Sequence, residues 1–91
     1  MRIEYDTAKN EWNIRERGLS FDGVAEFNFE TALIEIDDRR DYGEARMTAI
    51  GKLNGVLHVL IFTMRGEALR VISFRKANER EVRRYEQAAR S

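Results

Sequence analysis

The 91-residue chain contains no cysteine and no proline, and its one histidine is His58. Without cysteine there can be no disulfide and no thiolate metal site. A single histidine rules out a His-rich metal cluster. With no proline and no Gly/Ser-rich run, no linker is visible, and the length suits one domain spanning residues 1–91. No apolar run approaches the roughly 20 residues that a membrane span requires. The opening Met1-Arg2-Ile3-Glu4-Tyr5-Asp6 lacks the apolar stretch of a signal peptide, so the cytoplasm is the expected compartment. There is no phosphate-cradling glycine loop, no Ser/His/Asp arrangement and no zinc spacing. Neither a cofactor nor a metal is expected.

What the chain does have is charge, sorted by position. Residues 1–45 carry six Lys/Arg against twelve Asp/Glu, and residues 46–91 carry ten against four. A net charge of zero therefore hides an acidic half and a basic half of six charges each. A basic half suits a polyanion, of which nucleic acid is the commonest. The alternative is that the two halves neutralise one another across the folded domain.

Turn and cap signals give the organisation, an α+β domain with a mainly antiparallel sheet. Arg2–Tyr5 reads as a first strand. Asp6 can accept from the free N–H groups of a first helical turn, which predicts a helix over Thr7–Arg17 that stops at Gly18. Trp12 and Ile14 are its expected core contacts. Ser20 caps a second short helix, with Phe21, Val24, Ala25 and Phe27 on its apolar side. Ala32–Ile36 reads as a strand and Asp37–Glu44 as a charged loop. Asn54-Gly55 between Arg46–Leu53 and Val56–Met64 is a strong hairpin signal. Arg65-Gly66 marks another turn, and Leu69–Arg75 a further strand. Asn78 and Glu81 form a capping-box pair that opens a C-terminal helix, with Glu79/Arg83 and Glu86/Arg90 at i,i+4 spacing. Val82, Tyr85 and Ala89 are its apolar stripe.

Hairpin parity then places the side chains. Pairing Leu53 with Val56, and Met64 with Glu67, sets Arg46 opposite Thr63 and Arg70 opposite Ile61. Arg46, Thr48, Thr63 and Arg70 share one face, and Arg65 extends it. Met47, Ala49, Leu60, Phe62, Leu69 and Val71 share the other, expected to be the main core. His58 falls beside Gly51 and Ser73 on the apolar face, where a packed histidine is the simpler reading than a general base. Arg46, Arg65 and Arg70, with Arg75 and Lys76 at the strand exit, form the main chemical signal. The planar fork of arginine matches phosphate oxygens. An ion-paired, solvated face is the competing account. Asp37, Asp38, Asp41 and Glu44 could supply Mg²⁺ with oxygen ligands, but their spacing fits a solvated loop.

These residues resemble a known family. Asp6-x-x-Lys9-x-x-x-Asn13, Gly18-x-Ser20-Phe21 with Ala25, Asp41-Tyr42-Gly43-Glu44-x-Arg46 with Gly51, and Arg70-Val71-Ile72-Ser73-Phe74-Arg75-Lys76-Ala77 with Glu81 and Tyr85 follow, in order, the pattern of BrnT-type toxins. The resemblance implies a RelE-like fold: an N-terminal strand and helices, a mainly antiparallel sheet and a C-terminal helix. It also implies a ribonuclease that halts translation, with RNA as substrate. The implied partner is a cognate antitoxin, a DNA-binding protein of ribbon-helix-helix type, in a hetero-oligomer that represses the shared promoter. Within that reading the activity is metal-independent. Arg46, Arg70 and Arg75 stabilise the anionic transition state and Glu81 or Tyr85 moves protons. Arg65, Lys76 and Lys52 bind RNA. A second reading makes the chain a non-catalytic antitoxin-binding protein acting in the promoter complex. Two positions depart from the family pattern. Glu16-Arg17-Gly18 stands where Lys-His-Gly is usual, and Phe74 where a small residue is usual.

Overall fold

The computed structural model describes residues 1–39 and 41–90. Arg40, inside the expected Asp37–Glu44 loop, lies outside the described residues. The elements in order are β1 (Arg2–Glu4), α1 (Thr7–Arg17), a 3₁₀ turn (Phe21–Glu26), β2 (Leu33–Ile36), β3 (Met47–Leu53), β4 (Val56–Arg65), β5 (Ala68–Lys76) and α2 (Glu79–Arg90). Five strands make one sheet in the order β1-β5-β4-β3-β2. Only the β1–β5 pair is parallel. The expected α+β class and element order hold. No helix among the described residues is long and apolar enough to cross a membrane.

The local signals act as their chemistry requires. Asp6 accepts from the Lys9 N–H, and Gly18 closes α1 by donating to the Ile14 carbonyl. Asn54 and Gly55 take φ of 51° and 81°, the left-handed pair that a two-residue hairpin turn requires. Leu53 faces Val56, as parity predicts. Asn78 and Glu81 exchange reciprocal bonds of 2.9 Å, a complete capping box.

One sheet face is the core. Ala49, Leu53, Leu60, Phe62, Leu69, Val71 and Phe74 pack against Phe21, Val24 and Phe27. Gly51 is required there by close approach. A Cβ at this position would sit 2.7 Å from the Phe27 ring and 2.9 Å from the Ala32 Cβ. Phe74 is fully buried, with its ring centroid 6.1 Å from that of Phe27. The bulky departure from the family pattern therefore fills the core.

Several expectations are corrected. Trp12 and Ile14 do not face the core, and each is 46% exposed. Helix α1 instead buries Asn10 and Asn13. Asn10 Oδ1 accepts from the Phe21 N–H at 2.7 Å, and Asn13 Nδ2 donates to the Leu19 and Phe74 carbonyls at 2.9 Å each. This helix docks through amide–backbone bonds, so an apolar stripe gives the wrong face. Ala25 is exposed. The first strand stops at Glu4, and the second begins at Leu33. Ala89 is exposed, and no residue of α2 is fully buried. Glu79/Arg83 and Glu86/Arg90 do not form ion pairs, whereas Arg84 reaches across to Glu35 on β2.

The second hairpin turns one residue later than expected, on Gly66-Glu67 and not on Arg65-Gly66. Arg65 pairs with Ala68 and Met64 with Leu69, so Arg70 lies opposite Thr63 and not Ile61. A slip of two residues preserves the face, and Arg70 stays where parity placed it. Beyond Val71 a bulge follows: Phe62 pairs with Val71, but Ile61 pairs with Ser73. The extra residue, Ile72, added to the two-residue slip, moves Ser73 from His58 to Ile61 and gives His58 the partners Gly51 and Lys76. It also reverses side-chain parity, and Arg75 joins the face of Arg70, five residues earlier.

Candidate functional site

The face opposite the core carries the arginines that the sequence singles out. At one end, continuing the register one residue beyond the Met47–Phe62 pair brings Arg46, at the entry to β3, into a row with Thr63 on β4 and Arg70 on β5, continued by Glu4 on β1. Arg46 and Arg70 flank the central strand, with backbones about 10 Å apart at two inter-strand spacings. Thr63 is buried and donates through Oγ1 to the Ala45 carbonyl at 2.6 Å, which fixes the chain entering β3. Arg46 stacks over Tyr42, its guanidinium carbon 4.0 Å from the ring centroid. Its Nε lies 3.8 Å from Glu44, too far for a hydrogen bond, and is buried with no hydrogen-bond partner. Arg65 reaches the other oxygen of the same carboxylate at 3.6 Å. Arg70, half-buried, makes no hydrogen bond or ion pair with the described residues. Glu4, its strand neighbour, leans toward Arg2 at 3.8 Å. Part of the competing account therefore holds, since acids of the first half meet arginines of the second. Glu44 is nonetheless one carboxylate shared loosely by two guanidinium groups.

About four residues, or roughly 13 Å, along the same face stands a second cluster. Arg75 donates two bonds of 2.8 Å to Glu81, from Nη1 to Oε1 and from Nη2 to Oε2. Those bonds, helped by the Asn78 N–H and opposed by burial, hold the Glu81 carboxyl below its ordinary range. Arg75 is held above its ordinary value by the same partner. The pair lines a cleft of about 380 Å³ together with Asp37, Arg39, Thr48 and Arg84. Asp37 is buried and grips Arg39 at 2.7 and 2.9 Å, which keeps its carboxyl low. Asp41 accepts from the Gly43 N–H. Three acids of the Asp37–Glu44 loop are thus engaged within the protein.

The remaining expected site residues are dispersed. Tyr85 donates to the Thr31 carbonyl at 3.1 Å and lines a different, smaller cleft. Lys52 lies at the hairpin end of β3, six residues from Arg46. Lys76 has the parity of Phe74 and lines a third cleft, with Arg17 and His58. His58 is buried beside Phe74, and its Nδ1 is 2.8 Å from the Val56 carbonyl. A carbonyl only accepts, so Nδ1 carries the proton there. On sequence alone, Tyr42 and Thr63 have no assigned role and Glu44 figures only as a Mg²⁺ ligand. The Asp41-Tyr42-Gly43-Glu44-x-Arg46 motif holds Tyr42 and Glu44, yet ring stacking depends on how the loop folds back.

A family model described as the ribonuclease toxin, BrnT, of type II toxin–antitoxin systems matches residues 5–81. No curated protein matches the chain.

Proposed function

The chain belongs to the BrnT family of ribonuclease toxins of type II toxin–antitoxin systems, and from that membership and the charge on the open face we propose a metal-independent endoribonuclease that inhibits translation. The carrying observation is the Arg46–Thr63–Arg70 row. Arg46 and Arg70 flank one strand, one with an orphaned Nε and the other with no hydrogen-bond or ion-pair partner among the described residues. In the proposed reaction the ribose 2′-hydroxyl gives up its proton as its oxygen attacks the adjacent phosphorus. The bond to the 5′-oxygen of the next nucleotide breaks, and that oxygen takes a proton from water. Negative charge grows on the non-bridging oxygens. Arg70 and Arg46 face that charge, with Arg65 as a phosphate contact. Arg46 is preorganised by Tyr42, so little reorganisation accompanies the step.

Glu81 is the proposed proton acceptor. This requires the scissile phosphate to lie between the arginine row and the Arg75–Glu81 pair, reached by the long Arg70 side chain from one side, with the 2′-hydroxyl on the other. Arg75 keeps Glu81 ionised, the form a base needs, although a lowered pKa also makes it a weak one. Such help is typically worth about 10²–10⁴-fold. Arg75 adds positive charge beside it. Tyr85, bonded to Thr31, receives a packing role in this scheme. A type II toxin has an antitoxin partner. The proposed antitoxin is a DNA-binding ribbon-helix-helix protein whose acidic segment covers Arg46, Arg65 and Arg70.

The test is purified chain plus RNA in EDTA. Cleavage under those conditions supports the scheme. Cleavage only on adding Mg²⁺ overturns metal independence and turns attention to Asp37–Glu44. No cleavage in either condition favours the non-catalytic, antitoxin-binding reading.

A further inference from the structure

A second basic surface lies on the other side of β5. Past Arg70, β5 loses its β1 neighbour, and α1 lies beside the free edge. Two clefts meet there at Arg17. One, of about 410 Å³, is lined by Arg17, Gly18, Leu19, His58, Arg75 and Lys76. The other, of about 240 Å³, includes Lys9, Trp12 and Asn13 among its walls. None of the residues lining either cleft is acidic. Arg75 is compensated by Glu81, which leaves Arg17, Lys76 and Lys9 as the cations of the groove without a carboxylate partner.

Arg17 is held in place. Its Nη1 donates to Asn13 Oδ1 at 3.1 Å, and its guanidinium carbon lies 5.0 Å from the Trp12 ring centroid. Asn13 is in turn fixed by the Leu19 and Phe74 carbonyls. The burial of Asn13 explains why Trp12, one residue earlier on α1, is turned outward. An exposed tryptophan stacked with a fixed arginine, in a groove of uncompensated cations, is the chemistry that holds single-stranded nucleic acid. Bases stack on aromatic or guanidinium planes while the cations track the backbone.

We propose that this groove binds the single-stranded RNA flanking the cleaved bond, with one base against the Trp12–Arg17 pair and a phosphate between Arg17 and Lys76. The assignment rests on the ribonuclease reading above. It adds a binding site on the α1 side of β5, away from the Arg46–Arg70 row. Arg17 in place of the family's usual histidine supplies the permanent charge of this site.

Trp12 is the sole tryptophan, so its emission reports on the groove alone. The probe is a fluorescein-labelled 2′-O-methyl oligoribonucleotide, which lacks the attacking hydroxyl and stays intact. Fluorescein anisotropy reads binding anywhere on the protein, and the unlabelled oligonucleotide is used for Trp12 emission. The expected result is Trp12 quenching that saturates along the anisotropy curve. Trp12→Ala, at an exposed position, should weaken binding by about 5- to 150-fold, the equivalent of one stacked base. Lys76→Ala should make the slope of log affinity against log salt shallower by about 0.7, one phosphate on a single strand. Anisotropy that rises with no Trp12 response, and with both variants binding as wild type, places RNA elsewhere. That overturns the groove and leaves the ribonuclease reading intact. Equal quenching by polyglutamate overturns the choice of RNA as occupant. No anisotropy change at all removes the RNA reading along with the groove.

Discussion

On one face of the sheet, Leu60, Phe74 and Ala49 are closed from solvent and pack with Phe21, Val24 and Phe27; on the other, Arg46 and Arg65 share Glu44 and Arg70 is half-buried beside them. The same strands build both faces. The first is held by apolar contact and shape, so it resists change. At its Arg46 end the second is held by loose ion pairs, with two arginines at 3.6 and 3.8 Å from Glu44, while Arg75 and Glu81 at the other end meet at 2.8 Å. Under the proposed reading, the difference separates stability from chemistry: the arginines without a tight protein partner are the ones that meet an outside anion.

Substitutions can press on that contrast, beginning with the core. Phe74→Ala should lower stability by about 3–5 kcal/mol, since it empties the space between Phe27 and His58. Urea unfolding would measure it, and a loss under about 1 kcal/mol would mean the core face is not the stabilising one. Gly51→Ala should lose roughly 1–3 kcal/mol by overpacking against Phe27 and Ala32. A neutral result would show that this layer yields.

Moving to the charged face, Glu81→Gln should lose about 1 kcal/mol at pH 7, because glutamine can still cap Asn78 but loses its charge toward Arg75. The sign follows from the lowered carboxyl. Its contribution is complete above the ordinary glutamate value and fades as pH falls through the lower folded value. Wild type and variant should therefore converge in acid, as read by thermal midpoints from pH 7 down to pH 3. A constant gap would assign the loss to packing. Smallest of all, Arg70→Ala should change stability by under about 1 kcal/mol, since no protein partner is stranded.

The sequence was most informative where one local rule decides the outcome. Asn54-Gly55 set the hairpin register, Asp6 and Gly18 set the ends of α1, and Asn78 with Glu81 set the start of α2. Parity put Arg46 and Arg70 on one face even though the second turn moved on by one residue and the register by two. It could not place Arg75, because the bulge at Ile72 arises from pairing along the whole strand. Nor could it orient Trp12. The face that α1 buries is chosen by Asn10 and Asn13 reaching backbone groups as far away as Phe74. Such contacts between distant parts of the chain leave no periodic trace.

The central claim is that the open arginine face carries the chemistry without carrying the fold. It is tested most directly by the RNA-cleavage rate of Arg70→Ala in EDTA, read beside its thermal midpoint. The expected result is a rate about 10²–10³-fold below wild type at an unchanged midpoint, the loss typical of removing one preorganised charge donor. A folded variant that cleaves at the full rate, or one that unfolds, would contradict it.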